Sequence, residues 1–206
     1  RHLNQRTEML SGISHDLRTP LTRMKLQIAF IKDKDLAKKL AEDINEMEKM
    51  LNEYLQFTSS SYIEKDEMFN LSELMEEIIS KYNNKNIQRD LLPRVYINGR
   101  KNLINRSLNN IIDNALKYGN KIEIKLIKEN SYLSIIIDDD GSGIPEKEYE
   151  NVFKPFYKID KGRTESKSSV GLGLSIASDI VKSHGGNIVL GKSKMNGLSV
   201  KISLPV

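Results

Sequence analysis

The chain has 206 residues, 38% of them hydrophobic and 29% charged, with no cysteine and a formal net charge of +4. The charge is spread without a basic block, which argues against a nucleic-acid arm, and the missing cysteine excludes disulfides and thiolate metal sites. No apolar run approaches the roughly 18 residues that span a bilayer, and no signal peptide is visible. The chain opens at Arg1 already inside a helical pattern, so it is expected to be part of something longer.

Leu3, Leu10, Leu17, Met24 and Ile31 recur every seven residues, with Ile13, Leu21 and Ile28 in the adjacent seam. Ala37, Leu40, Ile44, Met47, Leu51 and Tyr54 follow at alternating spacings of three and four. Both are heptad patterns, and the short polar stretch 32–35 between them forces an antiparallel hairpin. A lone hairpin cannot bury so long an apolar stripe. Two hairpins paired in a four-helix bundle can, so residues 1–60 are expected to form a homodimer. Packing of the stripe on the rest of the same chain is the weaker alternative, because the stripe runs unbroken through both helices.

Residues 58–67 are polar and include Ser59, Ser60 and Ser61. A linker is therefore placed at 61–67, ahead of a second domain over 68–206. There the pattern becomes an alternation of helix and strand. Asn70 with Glu73 reads as a capping box opening a helix to about Tyr82. Val95, Tyr96 and Ile97 form a short strand ending at Asn98-Gly99, and a helix is predicted over 101–118. The β-rich runs 122–127 and 133–137 are joined by Lys128-Glu129-Asn130-Ser131, a spacer that predicts a hairpin. A helix from about Gly171 stops at Gly185-Gly186, and two strands over 187–190 and 198–204 close the chain. The second domain is thus predicted to be an α+β sandwich, one sheet covered on one face by helices.

His15 lies in Ser14-His15-Asp16-Leu17-Arg18-Thr19-Pro20-Leu21. With Leu10 and Leu17 at the seam, His15 falls on the outer face of its helix. A buried structural histidine is disfavoured by that register; a plain surface histidine is not. Asp16 can hold one ring N–H and leave the other nitrogen free to attack. Arg18 adds positive charge for an incoming phosphate. Pro20 removes a backbone donor and should kink the helix. Thr19, four residues on, shares the face of His15 and could hold a water. The segment resembles the H-box of histidine kinases, and residues 9–26 are similar to osmosensor kinases of the EnvZ type. The resemblance implies that His15 is phosphorylated, that Asp16 assists as acid or base, and that Thr19 serves dephosphorylation of the partner.

Four further motifs follow. Asn110-Ile111-Ile112-Asp113-Asn114-Ala115-Leu116-Lys117-Tyr118 puts two amides at i and i+4 on one helix face. Amide oxygens suit Mg²⁺, so Asn110 and Asn114 are the candidate metal ligands, and Lys117 can reach a phosphate. A solvated Asn-rich face is the bland alternative. Asp139-Asp140-Gly141-Ser142-Gly143-Ile144-Pro145 follows a strand; a carboxylate there can accept from an exocyclic amine, and the glycines let backbone approach a flat ring. By itself this could be a tight turn, and the residues leave Asp138, Asp139 and Asp140 open. Phe153 and Phe156 are ordinarily core residues. Residues 157–170 are polar, with Lys161, Gly162, Arg163 and Lys167, either a disordered loop or a lid. Gly171-Leu172-Gly173-Leu174 opens a helix, and glycine N–H groups at a helix start can cradle phosphate.

In this order the motifs resemble the N, G1, F and G2 boxes of histidine kinases, on the ATP-binding fold shared with gyrase B, Hsp90 and MutL. The resemblance covers nearly the whole chain. It implies Asn114 as Mg²⁺ ligand, with Asn110, Lys117 and Tyr118 lining the nucleotide. It implies Asp139 as the adenine acceptor by its spacing to Gly141 and Gly143, with Ile144 beside it. The phenylalanines would anchor one edge of a lid bearing Lys161 and Arg163. Gly171, Leu172, Gly173 and Leu174 would meet the phosphates, with Ser169 where a third glycine is usual. The implied protein binds ATP and Mg²⁺, autophosphorylates on His15, passes the phosphoryl group to the receiver domain of a response regulator and dephosphorylates that partner. It would be the cytoplasmic portion of a bacterial inner-membrane protein, anchored upstream. An ATP-driven clamp of the gyrase or Hsp90 kind is the second reading. Such clamps use a glutamate base in the position of Asn110; an amide cannot abstract a proton, and a clamp leaves His15 unexplained. A degenerate scaffold is the third, and the full set of chemical residues argues against it.

Overall fold

The computed structural model describes residues 17, 19–60, 64–82, 86–129, 131–159 and 171–205; His15, Asp16, Lys161, Arg163 and Ser169 lie outside the described residues. The chain divides into two units, Arg1–Ile63 with Asp160–Leu172, and Glu64–Ile159 with Gly173–Val206.

In the first unit, helix α1 covers 19–28 and helix α2 covers Lys34–Ser60. Three i→i+3 bonds, from Ala29, Phe30 and Ile31 to the carbonyls of Leu26, Gln27 and Ile28, close α1. Asp33 then caps α2, its Oδ1 accepting from the N–H groups of Asp35 and Leu36 at 3.0 Å each. That cap starts α2 inside the stretch read as connection. Lys25 on α1 pairs with Glu48 on α2 at 2.6 Å, as an antiparallel hairpin requires. Leu21 and Ile44 are buried at the seam, while Leu17, Met24 and Met47 stay 44 to 49% exposed. The hairpin thus buries one seam and leaves a second apolar stripe uncovered. α1 runs through Pro20; the turn before it lies outside the described residues, and so does the kink expected there.

The second unit carries two sheets. Strands β1 (Glu67–Asn70) and β3 (Tyr96–Gly99) pair antiparallel. The larger sheet has the order β2-β4-β5-β7-β6, formed by β2 (Asn86–Leu91), β4 (Lys121–Glu129), β5 (Tyr132–Asp139), β6 (Asn187–Lys192) and β7 (Leu198–Pro205). Only β2 and β4 run parallel. On one face of this sheet, Ile122, Ile124, Leu126, Leu133, Ile135, Ile137, Val200 and Ile202 are all buried. Helices α3 (Leu71–Ser80), α4 (Lys101–Tyr118) and α5 (Gly173–Ser183) supply the rest of the core. Each such aliphatic side chain contributes about 1.5–3 kcal/mol by leaving water.

Asn70 caps α3 as expected, accepting from Ser72 and Glu73 N–H. α5 ends where Gly185 turns left-handed at φ +71 and Gly186 N–H closes on Val181 O. α2 ends at Ser60, in line with the reading of 1–60 as the helical domain. By contrast, β1, beginning at Glu67 in the stretch read as linker, and β2 are additional strands, and β4 continues through Glu129 into the residues read as hairpin connection. No helix among the described residues is long and apolar enough to cross a membrane.

Candidate functional site

Helix α4 presents two polar stripes. Along the first, Asn109 donates to Asn105, and Tyr82 O–H donates to Asp113 at 2.6 Å. Those groups are spent on tying α4 to the end of α3. Along the second stand Asn110 and Asn114, both half-buried. Nδ2 of Asn110 is buried with no acceptor among the described residues. A buried amide without a partner costs about 1–3 kcal/mol, so Asn110 is suited to donate to an acceptor from outside the chain. Gly173 opens α5 beside it: a Cβ there would lie 3.9 Å from Asn110 Cβ. Lys117 sits 5.3 Å from the Tyr118 ring centroid, and Tyr118 is exposed at the end of the helix.

The three consecutive aspartates are separated by what holds them. Asp140 accepts from the N–H groups of Asn120 and Lys121 at 2.6 and 2.9 Å, which holds its carboxyl below the ordinary range and commits it to the chain reversal. Asp138 projects from the sheet face opposite Ile137, in register with Glu123 and Ser199. Asp139 continues the helix-covered face, opposite Ile122, and is only 3% exposed. Its Oδ1 accepts from Gly141 N–H at 2.8 Å and Leu198 N–H at 3.1 Å, leaving Oδ2 for a ligand. Burial pushes its pKa up; the two backbone bonds oppose this, and the neighbouring carboxylates add to it.

Glycines frame that carboxylate. A Cβ at Gly119 would lie 3.0 Å from Asp139 Cβ, and one at Gly141 would lie 2.6 Å from Tyr118 O. At Gly197 the distance to Asp139 Oδ1 would be 2.2 Å. Gly197 and Leu198 are site residues that sequence reasoning missed. The Asn196-Gly197 pair signalled a turn, but nothing local says that this turn abuts Asp139. Gly143 sits at φ +64, where glycine is favoured, and Ile144 beside it is half-buried.

Beyond Pro145 the chain makes two single 3₁₀ turns, Glu146–Glu148 and Asn151–Phe153. Glu148 accepts from Asn151 Nδ2 and from Tyr157 O–H, bonds that lower its pKa. Val152, rather than either phenylalanine, takes the buried position. Phe156 is 55% exposed at φ +64, a conformation a bulky residue rarely adopts. The aromatic anchor read from the sequence is thus reduced to Phe153. In the other unit, Gly171 has φ +79 and Leu172 is buried; Leu174, in α5, is half-buried. Thr19 is exposed on α1. The structure therefore brings Asn110 and Gly173 together, with Asn114 one turn further along α4, and sets Tyr118, Gly119, Asp139, Gly141 and Gly197 against one another.

The sequence profile described as "Histidine kinase-, DNA gyrase B-, and HSP90-like ATPase" matches residues 99–206, more than half of the chain. The chain belongs to this ATPase family. A second profile, the "His Kinase A (phospho-acceptor) domain", matches residues 5–62. The two in tandem identify a histidine kinase catalytic core. The chain is 33% identical over 210 residues to the sensor histidine kinase GtrS of Pseudomonas aeruginosa, covering all of this chain and 43% of that one. It is 34% identical over 224 residues to the sensor histidine kinase WalK of Bacillus subtilis, covering 98% and 37%. The chain thus spans less than half the length of these curated relatives. Full-length ShkA, solved in complex with AMPPNP, superposes with a TM-score of 0.70 at 19% identity, over 96% of this chain and 45% of that one, which is a likeness of fold. These relatives are histidine kinases in general; the finer likeness to osmosensor kinases is not what they carry.

Proposed function

We propose that this histidine kinase core binds ATP with Mg²⁺ in its ATP-binding domain, residues 68–206, and phosphorylates itself on His15. The observation that carries the reading is the buried, unpartnered Nδ2 of Asn110 beside the start of α5, on the same helix whose end abuts the buried Asp139 carboxylate. Asp139 Oδ2 accepts the adenine amine while Gly141, Gly143 and Ile144 lie along the ring. Tyr118 and Lys117 line the sugar–phosphate side. Gly171, Leu172, Gly173 and Leu174 receive the phosphates, with Lys161 and Arg163 contributing positive charge. The Oδ1 atoms of both side chains fit Mg²⁺, which would neutralise phosphate charge there, and the orphaned Nδ2 of Asn110 would donate to a phosphate oxygen.

A ring nitrogen of His15 forms a P–N bond to the γ-phosphorus as the bond to the β-phosphate oxygen breaks and ADP leaves. Asp16 holds the proton of the other ring nitrogen. The phosphoryl group then passes to an aspartate oxygen of a response-regulator receiver domain. Thr19 positions a water for the reverse service, hydrolysis of that aspartyl phosphate. Residues 1–60 form the dimerisation and phosphotransfer domain, 61–67 the linker and 68–206 the ATP-binding domain. The uncovered stripe of Leu17, Met24 and Met47 supports a homodimer through the hairpin. The whole protein is placed in a bacterial inner membrane, with this portion in the cytoplasm and no nucleic-acid partner.

The test is incubation with γ-labelled ATP and Mg²⁺. Label should be acid-labile and base-stable, and His15→Gln should abolish it while keeping ATP binding. Undiminished labelling of His15→Gln would sink the assignment.

A further inference from the structure

Helix α4 lacks a cap of its own. Its N-cap residue, Arg100, makes no side-chain capping bond, and its first turn holds no acidic residue. Lys101 instead puts a cation at the positive end of the helix dipole. The missing acceptor comes from far away in sequence. Glu64 accepts from Asn102 N–H at 2.6 Å through Oε1 and from Leu103 N–H at 3.2 Å through Oε2. Two residues on, Asp66 lies 3.7 Å from Arg100 Nε.

Arg100 also fastens this end of α4 to the far end of α5. Its Nη2 donates to Ser183 O at 2.9 Å and to Ser183 Oγ at 2.7 Å. Its backbone N–H donates to His184 Nε2 at 3.1 Å. α5 in turn starts at Gly173, beside Asn110. The start of α4 is therefore a junction of three segments, and two of them carry candidate nucleotide residues. The third begins at Glu64, separated from the end of α2 at Ser60 by residues 61–63 alone.

We propose that Glu64 is a positioning residue for the nucleotide site: a latch by which the segment leaving α2 sets the seating of α4, and so the placement of Asn110 and Asn114. This rests on the nucleotide reading above. Linkage makes the device reciprocal: if a closed latch favours nucleotide, nucleotide must favour the closed latch by the same factor.

The test uses the full chain, with amide exchange followed at Asn102 and Leu103 and nucleotide affinity measured by calorimetry with an ATP analogue and Mg²⁺. In the parent, nucleotide should slow exchange at both amides. Glu64→Ala should abolish that slowing and weaken nucleotide binding at least about fivefold, the low end of ordinary coupling between sites. Glu64→Gln keeps an acceptor without the charge, and its affinity should fall between the two. Glu76→Gln, which removes an exposed carboxylate paired with Arg89, is the control and should bind like the parent. Faster exchange in Glu64→Ala with parental affinity would make Glu64 a structural cap only and overturn the proposal. So would a nucleotide-bound parent whose exchange at these two amides is unchanged. Failure of the parent to bind nucleotide at all would overturn the site reading itself, and the latch with it.

Discussion

Replacing Gly197 by alanine should disable the Asp139 carboxylate from the neighbouring strand. A methyl group there would lie 2.2 Å from Asp139 Oδ1, 2.3 Å from Asp139 O and 2.5 Å from Gly141 N. Two of these are backbone atoms, so no rotamer change relieves the crowding, and either β7 or the turn after β5 must shift. Overpacking of this kind costs about 1–3 kcal/mol. The shift also strains the bond from Leu198 N–H to Asp139, and a hydrogen bond to a charged group is worth about 1.5–3 kcal/mol. These losses overlap, so a net destabilisation of about 2–4 kcal/mol is expected. With the carboxylate displaced, ATP affinity should fall at least about tenfold, equivalent to 1.4 kcal/mol. Gly191→Ala is the matched control, since a Cβ there meets nothing within 4 Å. It should stay within about 0.5 kcal/mol of the parent. Urea denaturation and calorimetric ATP titration read both quantities. If the two variants behave alike, the close approach of β7 to Asp139 does not govern the site.

Asp139→Asn should lose ATP affinity and shift preference toward GTP. Two backbone N–H groups hold Oδ1, so the new amide nitrogen must replace Oδ2 and face the adenine amine donor with another donor; parental selectivity in an ATP-against-GTP titration would refute this. Asn114→Ala should remove the Mg²⁺ dependence of nucleotide binding, and an unchanged Mg²⁺ response would show that the ligand lies elsewhere. Thr19→Ala should keep autophosphorylation within a small factor and sharply slow loss of phosphate from the regulator, since a hydroxyl orients water by position; dephosphorylation at the parental rate would remove Thr19 from that role. His184 predicts a pH effect on stability. Desolvation holds its pKa below the ordinary 6.5, with Arg100 pushing the same way and Ile180 O, Asp66 and Glu64 opposing. The folded state therefore binds fewer protons than the unfolded one, and this contribution is lost as pH falls through about 6.5 toward the lowered value. His184→Gln should flatten that slope in denaturation curves at pH 7.5 and 5.5; an identical slope would contradict the neutral, half-buried imidazole.

The readable parts of the fold were those whose cause is local. α4 could be bounded from sequence because Leu103, Ile104, Leu108, Ile111, Ile112 and Ala115 repeat with helical period, and all are buried. β5 was readable as a short continuous apolar run. β2 was not: Gln88, Arg89 and Asp90 look like loop, and the strand exists because Ile87 and Leu91 lie beside Ile122 and Leu126 of a strand still to come. The same limit applied to the site. The two amides of α4 stand out by spacing alone, and the structure adds that their neighbours Asn109 and Asp113 are already engaged. The residues alone left Asp138, Asp139 and Asp140 open and only the family spacing pointed to Asp139; the sheet face and backbone partners of each come from the fold. Nothing local to Gly197 or Glu64 reveals its role, because each matters through a partner dozens of residues away.

The pairing of β5 with β7 separates the parts of the site in time during synthesis. α4 and the β4–β5 hairpin emerge early and can form from near neighbours, whereas the bond from Leu198 to Asp139 closes across 59 residues. Until β7 has left the ribosome and docked, Asp139 has one backbone donor instead of two and β5 has an open edge. A nascent chain with the whole Asp139–Gly143 turn already made would still lack the second donor that fixes the Asp139 carboxylate, so that carboxylate is seated only once β7 has paired with β5.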